Sequence, residues 1–66
     1  MDHAKIGQLI RHLRTEKRMT QESLAEQLHV SNKAVSKWEC GNGCPEISLF
    51  PALSSILGAD FSALLT

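Results

Sequence analysis

The chain has no tyrosine, one tryptophan and two phenylalanines among its 66 residues. β-Branched residues are scattered and no alternation of period two lasts more than a few positions, so nothing here reads as a strand. No apolar run approaches the ~20 residues that a membrane-spanning helix needs, and the N-terminus lacks a secretory signal pattern. A membrane partner is therefore not expected, and a cytoplasmic location is. Cysteine is confined to Cys40 and Cys44, which read as reduced thiols in that compartment. Excess charge is missing as well: seven basic residues balance seven acidic ones. Neutrality counts against broad attraction to nucleic-acid backbone, which draws on positive potential.

The distribution of charge is more informative than its sum. Arg11, Arg14, Lys17 and Arg18 gather in or just after the first helical stretch, and Lys33 and Lys37 lie on a later one. The acids sit mainly elsewhere, at Glu22, Glu26, Glu39, Glu46 and Asp60. One basic face on a neutral body is compatible with that pattern. Hydrophobic residues make up 42% of the chain, an ordinary globular value that argues against disorder. Residues 1–66 are expected to form one small domain, near the lower size limit for an unstapled core.

Helical spacing recurs along the chain. Ile6, Leu9, Ile10 and Leu13 follow the i, i+3, i+4, i+7 rule, predicting a first helix over about residues 3–17, slightly weakened by Gly7. Thr20 is a good N-cap for a second helix with Leu24, Ala25 and Leu28 inward and Glu22 in its first turn. Ser31 caps a third helix, which Gly41 ends. Only His29 and Val30 separate the second helix from that cap, so the two helices must meet at a sharp angle. A fourth helix is expected to open near Ser48, with Pro51 tolerable in its first turn and Leu49, Leu53, Ile56 and Leu57 on one face. Gly58 closes it. Asp60 then caps a short fifth helix carrying Phe61, Leu64 and Leu65 inward. The expectation is an all-α, compact five-helix fold without linker or repeat.

The third helix carries the chemistry. At about 100° per residue, Ala34, Val35 and Trp38 share one side, while Asn32, Lys33, Ser36 and Lys37 fill an arc on the other. A helix held on its apolar side, with cations and amides outward, suits the major groove of DNA. Lysine can donate to guanine O6 or N7, asparagine can pair with adenine, and serine can serve either. Ser31 and the helix N-terminus can offer donors to a phosphate. Gln21, directly after the Thr20 cap, can reach a phosphate while the third helix enters the groove. Any isolated helix face with Lys and Ser is usually just solvated; the short turn, the capped preceding helix and Gln21 are what favour the binding reading.

Taken in order, Thr20-Gln21, Leu24-Ala25, Val30-Ser31, Val35-Ser36-Lys37-Trp38-Glu39, Gly41 and Pro45 resemble the signature of the repressor/Cro (XRE-like) helix-turn-helix family. The resemblance extends back to Ile6-Gly7, Leu13 and Arg14 and forward to Leu53, Leu57 and Leu64. It implies a five-helix repressor-like domain whose helix-turn-helix covers about residues 20–40, in a bacterial or phage regulator of transcription that binds double-stranded DNA. Gln21, Asn32, Lys33 and Lys37 fall where such proteins contact bases or adjoining phosphates, with Ser36 on the same face. It further implies an ion pair between Arg14 and Glu39 that sets the geometry of the third helix. His29 stands where the family most often has glycine, and so must adopt positive φ. The loop from Cys40 to Cys44 is less basic than in many relatives, so fewer phosphate contacts are expected from it.

Three other readings compete. Cys40 and Cys44 with His3, His12 and His29 do not make the paired, closely spaced groups of a zinc motif, so no metal or other cofactor is expected. Phosphate loops, H-E-x-x-H and a Ser/His/Asp order are missing, and so small a domain struggles to enclose a pocket; an enzyme is not expected. A protein-interaction or dimerisation module, antitoxin-like, is the stronger competitor, since fold does not fix function. Exposed large apolar residues on the third helix would favour it. A homodimer on an inverted repeat would set half-sites about one helical turn apart. The end of the chain suits either a complete small repressor or a domain followed by a further C-terminal one.

Overall fold

Asp2 starts the first helix: its side chain accepts the Lys5 N–H at 3.1 Å, which satisfies one of the donors that every helix N-terminus leaves unpaired. The computed structural model describes residues 2–61. Helix α1 spans His3–Glu16 and buries Ile6, Gly7 and Ile10. Leu9 and Leu13, on the flank of the same stripe, are half-buried against the core. The helix stops at Lys17, and the next residue, Arg18, takes φ +56°. Its N–H donates to Thr15 O at 3.0 Å, and Met19 N–H returns to Arg14 O at 3.0 Å.

Helix α2 spans Gln21–Leu28 and α3 spans Asn32–Glu39. Both caps are formed as the sequence predicts: Thr20 Oγ1 accepts from Ser23 N–H and Ser31 Oγ from Ala34 N–H. His29 is in the left-handed region at φ +58°, ψ +40°. There its N–H donates to Glu26 O at 3.2 Å and Val30 N–H to Ala25 O at 3.0 Å, closing α2 before the cap of α3 begins. Helix α3 ends the same way at Gly41, φ +78°, with Gly41 N–H on Trp38 O and Asn42 N–H on Lys37 O.

The fourth helix begins slightly later than expected. Residues Ile47–Leu49 form a 3-10 turn, and α4 follows as Phe50–Leu57, with Pro51 in its first turn. That shift brings Phe50 into the core with Leu53 and Leu57, leaving Leu49 and Ile56 half-buried at its edge. Gly58 closes α4 at φ +69°. Phe61 is buried and packs on Phe50 with ring centroids 5.7 Å apart. The fifth helix predicted from Asp60, with Leu64 and Leu65, lies outside the described residues. Within them the protein is all-helical, with four α-helices and no strand.

Helix α3 packs on both α1 and α2. Its eight residues are fewer than the ~12–15 at which an isolated helix becomes even marginally stable. It stands because Val35 and Trp38 are buried against Ile6, Ile10, Leu24 and Leu28 in one core.

Candidate nucleic-acid interface

The outward side of α3 is built by subtraction. Val35 and Trp38 are buried and Ala34 is half-buried, which leaves Asn32, Lys33 and Lys37 exposed on the opposite arc. Ser36, expected on that face, is half-buried and lies at its edge. No large apolar residue is exposed on α3; among the described residues Ile47 is the large hydrophobic side chain that is, and it lies in the 3-10 turn. Lys33 and Lys37 are one turn apart and so stand on the same side.

Ser31 is exposed, and its hydroxyl oxygen already accepts from Ala34 N–H. The hydroxyl proton remains to be donated outward, beside the N–H groups of Asn32 and Lys33, which lack intrahelical acceptors by helix geometry. One end of α3 therefore combines several donors with the positive end of the helix dipole.

Arg14 faces inward. Its Nε donates to Glu39 Oε2 at 2.6 Å, its Nη2 to Glu39 Oε1 at 3.0 Å, and its Nη1 to Met19 O at 2.6 Å. Only 12% of the Arg14 side chain and 3% of that of Glu39 are exposed. The hydrogen bond to Glu39 pushes the Arg14 pKa up; burial acts in the opposite sense and the carboxylate charge adds to the rise. This two-pronged pair ties the end of α3 to α1 and to the corner before α2, as the resemblance implies. The basic cluster of the first helix is thus divided: Arg11, Lys17 and Arg18 are exposed, whereas Arg14 is engaged within the fold.

Gln21, half-buried at the start of α2, donates from Nε2 to Glu39 Oε1 at 3.2 Å. Sequence reasoning missed this contact: it joins residues eighteen positions apart, and only the α2–α3 corner brings them together. One carboxylate therefore receives α1 and α2 at the end of α3.

The remaining candidates do not converge. Cys40 is exposed and Cys44 half-buried, both as thiols, and burial raises the Cys44 pKa. Among the described residues no three His, Cys, Asp or Glu side chains are grouped as metal ligands would be. No described helix is long and apolar enough to cross a membrane.

Comparison with known proteins fits this geometry. The helix-turn-helix family matches residues 10–64, from the middle of α1 through α4. The chain belongs to this family. Among relatives, it is 40% identical over 62 residues to the HTH-type transcriptional activator BcrR of Enterococcus faecalis, a match that covers 94% of the chain and 30% of that protein. The chain thus spans less than a third of the length of this relative. The crystal structure of the clp gene regulator ClgR from Corynebacterium glutamicum superposes with a TM-score of 0.85 at 28% identity, over 98% of this chain and 69% of that one. A transcriptional regulator of the same family from Vibrio cholerae gives 0.78 at 26% identity, over 98% of this chain and 36% of its own.

Proposed function

We propose that residues 1–66 act as one helix-turn-helix domain that binds double-stranded DNA sequence-specifically, within a bacterial or phage regulator of transcription. The observation that carries this reading is the division of α3: one side is locked into the core through Val35 and Trp38, and the other exposes Asn32, Lys33 and Lys37 with no large apolar residue among them. Asn32, Lys33 and Lys37, with Ser36 at the edge, are the residues assigned to base edges in the major groove. Ser31 and the first N–H groups of α3 are assigned to a phosphate, which sets register without reading sequence. Arg14 contributes by holding α3 rather than by touch. The relatives named as regulators of transcription support the same assignment.

Binding by α3 needs no cofactor and no reaction, so the domain is read as a binding module that works in the cytoplasm. Two copies on an inverted repeat, half-sites about one helical turn apart, would match the symmetry of duplex DNA. Selection from a randomised duplex pool, followed by sequencing of the retained DNA, tests the reading. Enrichment of a short motif is expected, and an inverted repeat in it would give the half-site spacing directly. Failure to enrich any motif at low salt would instead favour a protein-docking role for the same fold.

A further inference from the structure

Gln21 is held in one orientation by a partner that can only accept. A carboxylate offers no donor, so the edge of the amide facing Glu39 must be its nitrogen. Both oxygens of Glu39 already receive N–H groups from Arg14, which fixes their place. Turning the amide over would set its carbonyl oxygen against the carboxylate. Among the described residues Gln21 Oε1 has no hydrogen bond, and no buried side-chain nitrogen or oxygen lacks a partner. The oxygen therefore reaches solvent, at the edge where α2 begins beside α3.

We propose that Glu39 is a positioning residue that locks the polarity of the Gln21 amide, so that Gln21 presents its carbonyl oxygen to the duplex as a hydrogen-bond acceptor, beside the one N–H that Glu39 leaves over. Such an acceptor is repelled by phosphate oxygens. It matches an exocyclic amine on a base edge, adenine N6 or cytosine N4 in the major groove. Gln21 becomes a specificity-determining residue in addition to the phosphate contact expected from its position after the Thr20 cap, and a residue that never touches DNA sets what it reads. The inference rests on the DNA-binding reading above.

Two measurements test it. In the free wild-type chain, NMR exchange of the side-chain amide protons should be several-fold slower for Gln21 than for Gln8 and Gln27, which are exposed on α1 and α2. Equal exchange at all three overturns the proposal without any variant having to fold. The second measurement uses duplexes selected by the wild-type chain. Gln21→Met should lower affinity about tenfold, the scale of one neutral hydrogen bond, and flatten the preference at one base pair of the motif. Glu39→Gln, which lets the amide turn over, should flatten the same base pair, and the double variant should be no weaker than Gln21→Met alone. Replacing the exocyclic amine of that adenine or cytosine should weaken wild-type binding and leave Gln21→Met unaffected. Losses that multiply, or a Glu39→Gln effect spread over all positions, would make Glu39 merely structural and overturn the proposal while the DNA-binding reading stands. Should the wild-type chain select no motif, both fall together.

Discussion

Gly7 of α1 lies so close to the backbone of Trp38 on α3 that a β-carbon at position 7 would stand 1.9 Å from the Trp38 carbonyl oxygen. The obstacle is backbone and cannot swing aside as a side chain would. On helix propensity alone, alanine in place of an interior glycine gains about 1 kcal/mol. Overpacking of this kind costs about 1–3 kcal/mol, occasionally more, and here it also pushes the end of α3 away from α1. Gly7→Ala should therefore lower the melting temperature by several degrees, since ~1 kcal/mol corresponds to about 4–8 °C in a domain this small. DNA affinity should fall with it. A melting temperature at or above wild type would contradict the close approach.

His29 is held at φ +58° by the corner between α2 and α3. A side chain with a β-carbon is strained there, and glycine is not. His29→Gly is expected to stabilise the domain by up to ~1 kcal/mol, read as a higher midpoint in urea. A lower midpoint would mean that the imidazole contributes packing that outweighs the strain.

Arg14→Ala should be severe. It leaves the Glu39 carboxylate, 3% exposed, without its cation, and breaking a buried pair from one side costs about 3–5 kcal/mol. The pair replaced on both sides, Arg14→Met with Glu39→Leu, should recover much of that loss. Thermal melting of the single and double variants separates an orphaned charge from lost packing: equal melting temperatures would point to packing.

Lys33→Ala and Lys37→Ala leave the core untouched, because both side chains are exposed. Their cost should appear only with DNA, at about 1–3 kcal/mol on a selected duplex, with relaxed discrimination at one position. A lysine whose loss weakens all sequences alike, and shallows the salt dependence, touches phosphate instead.

Burial raises the Cys44 pKa, so at a given pH fewer Cys44 thiols are ionised than in an unfolded chain, and the thiolate is the reactive form. Cys40 is exposed and should be alkylated first at mildly alkaline pH, as peptide mass mapping would show. The protonated thiol's contribution to stability is complete below the unfolded pKa and is lost as pH rises through the raised folded value. Equal labelling rates would mean that Cys44 opens to solvent.

Local chemistry was legible in the sequence, and cross-chain geometry mostly was not. Thr20 and Ser31 announce their helices because a cap is a bond between residues three apart, visible to anyone reading along the chain. The strained corner at His29 follows from the few residues left between two helices. Arg14–Glu39 was accessible only through resemblance to relatives, and Gln21–Glu39 not at all, since both depend on how helices cross. Gly7 reads as a weakness in α1 when only propensity is considered; it is a site where the backbone of α3 leaves no room for a β-carbon. Nothing in the sequence marks Arg18 as left-handed, for arginine has no preference for that region. The start of α4 is displaced because a 3-10 turn can precede Pro51 as readily as a helical one, and that choice decides whether Leu49 or Phe50 enters the core.

Each of the four described helices is followed within two residues by one at positive φ: Arg18, His29, Gly41 and Gly58. Every change of direction is therefore written next to the segment it ends, and no helix depends on a distant partner to know where to stop. A chain organised this way closes mostly short loops before its core assembles. Folding should be complete in microseconds to milliseconds, on the order seen for proteins rich in local contacts. A domain unfolded in this way would be whole again before most slower events in a cell could exploit its open chain.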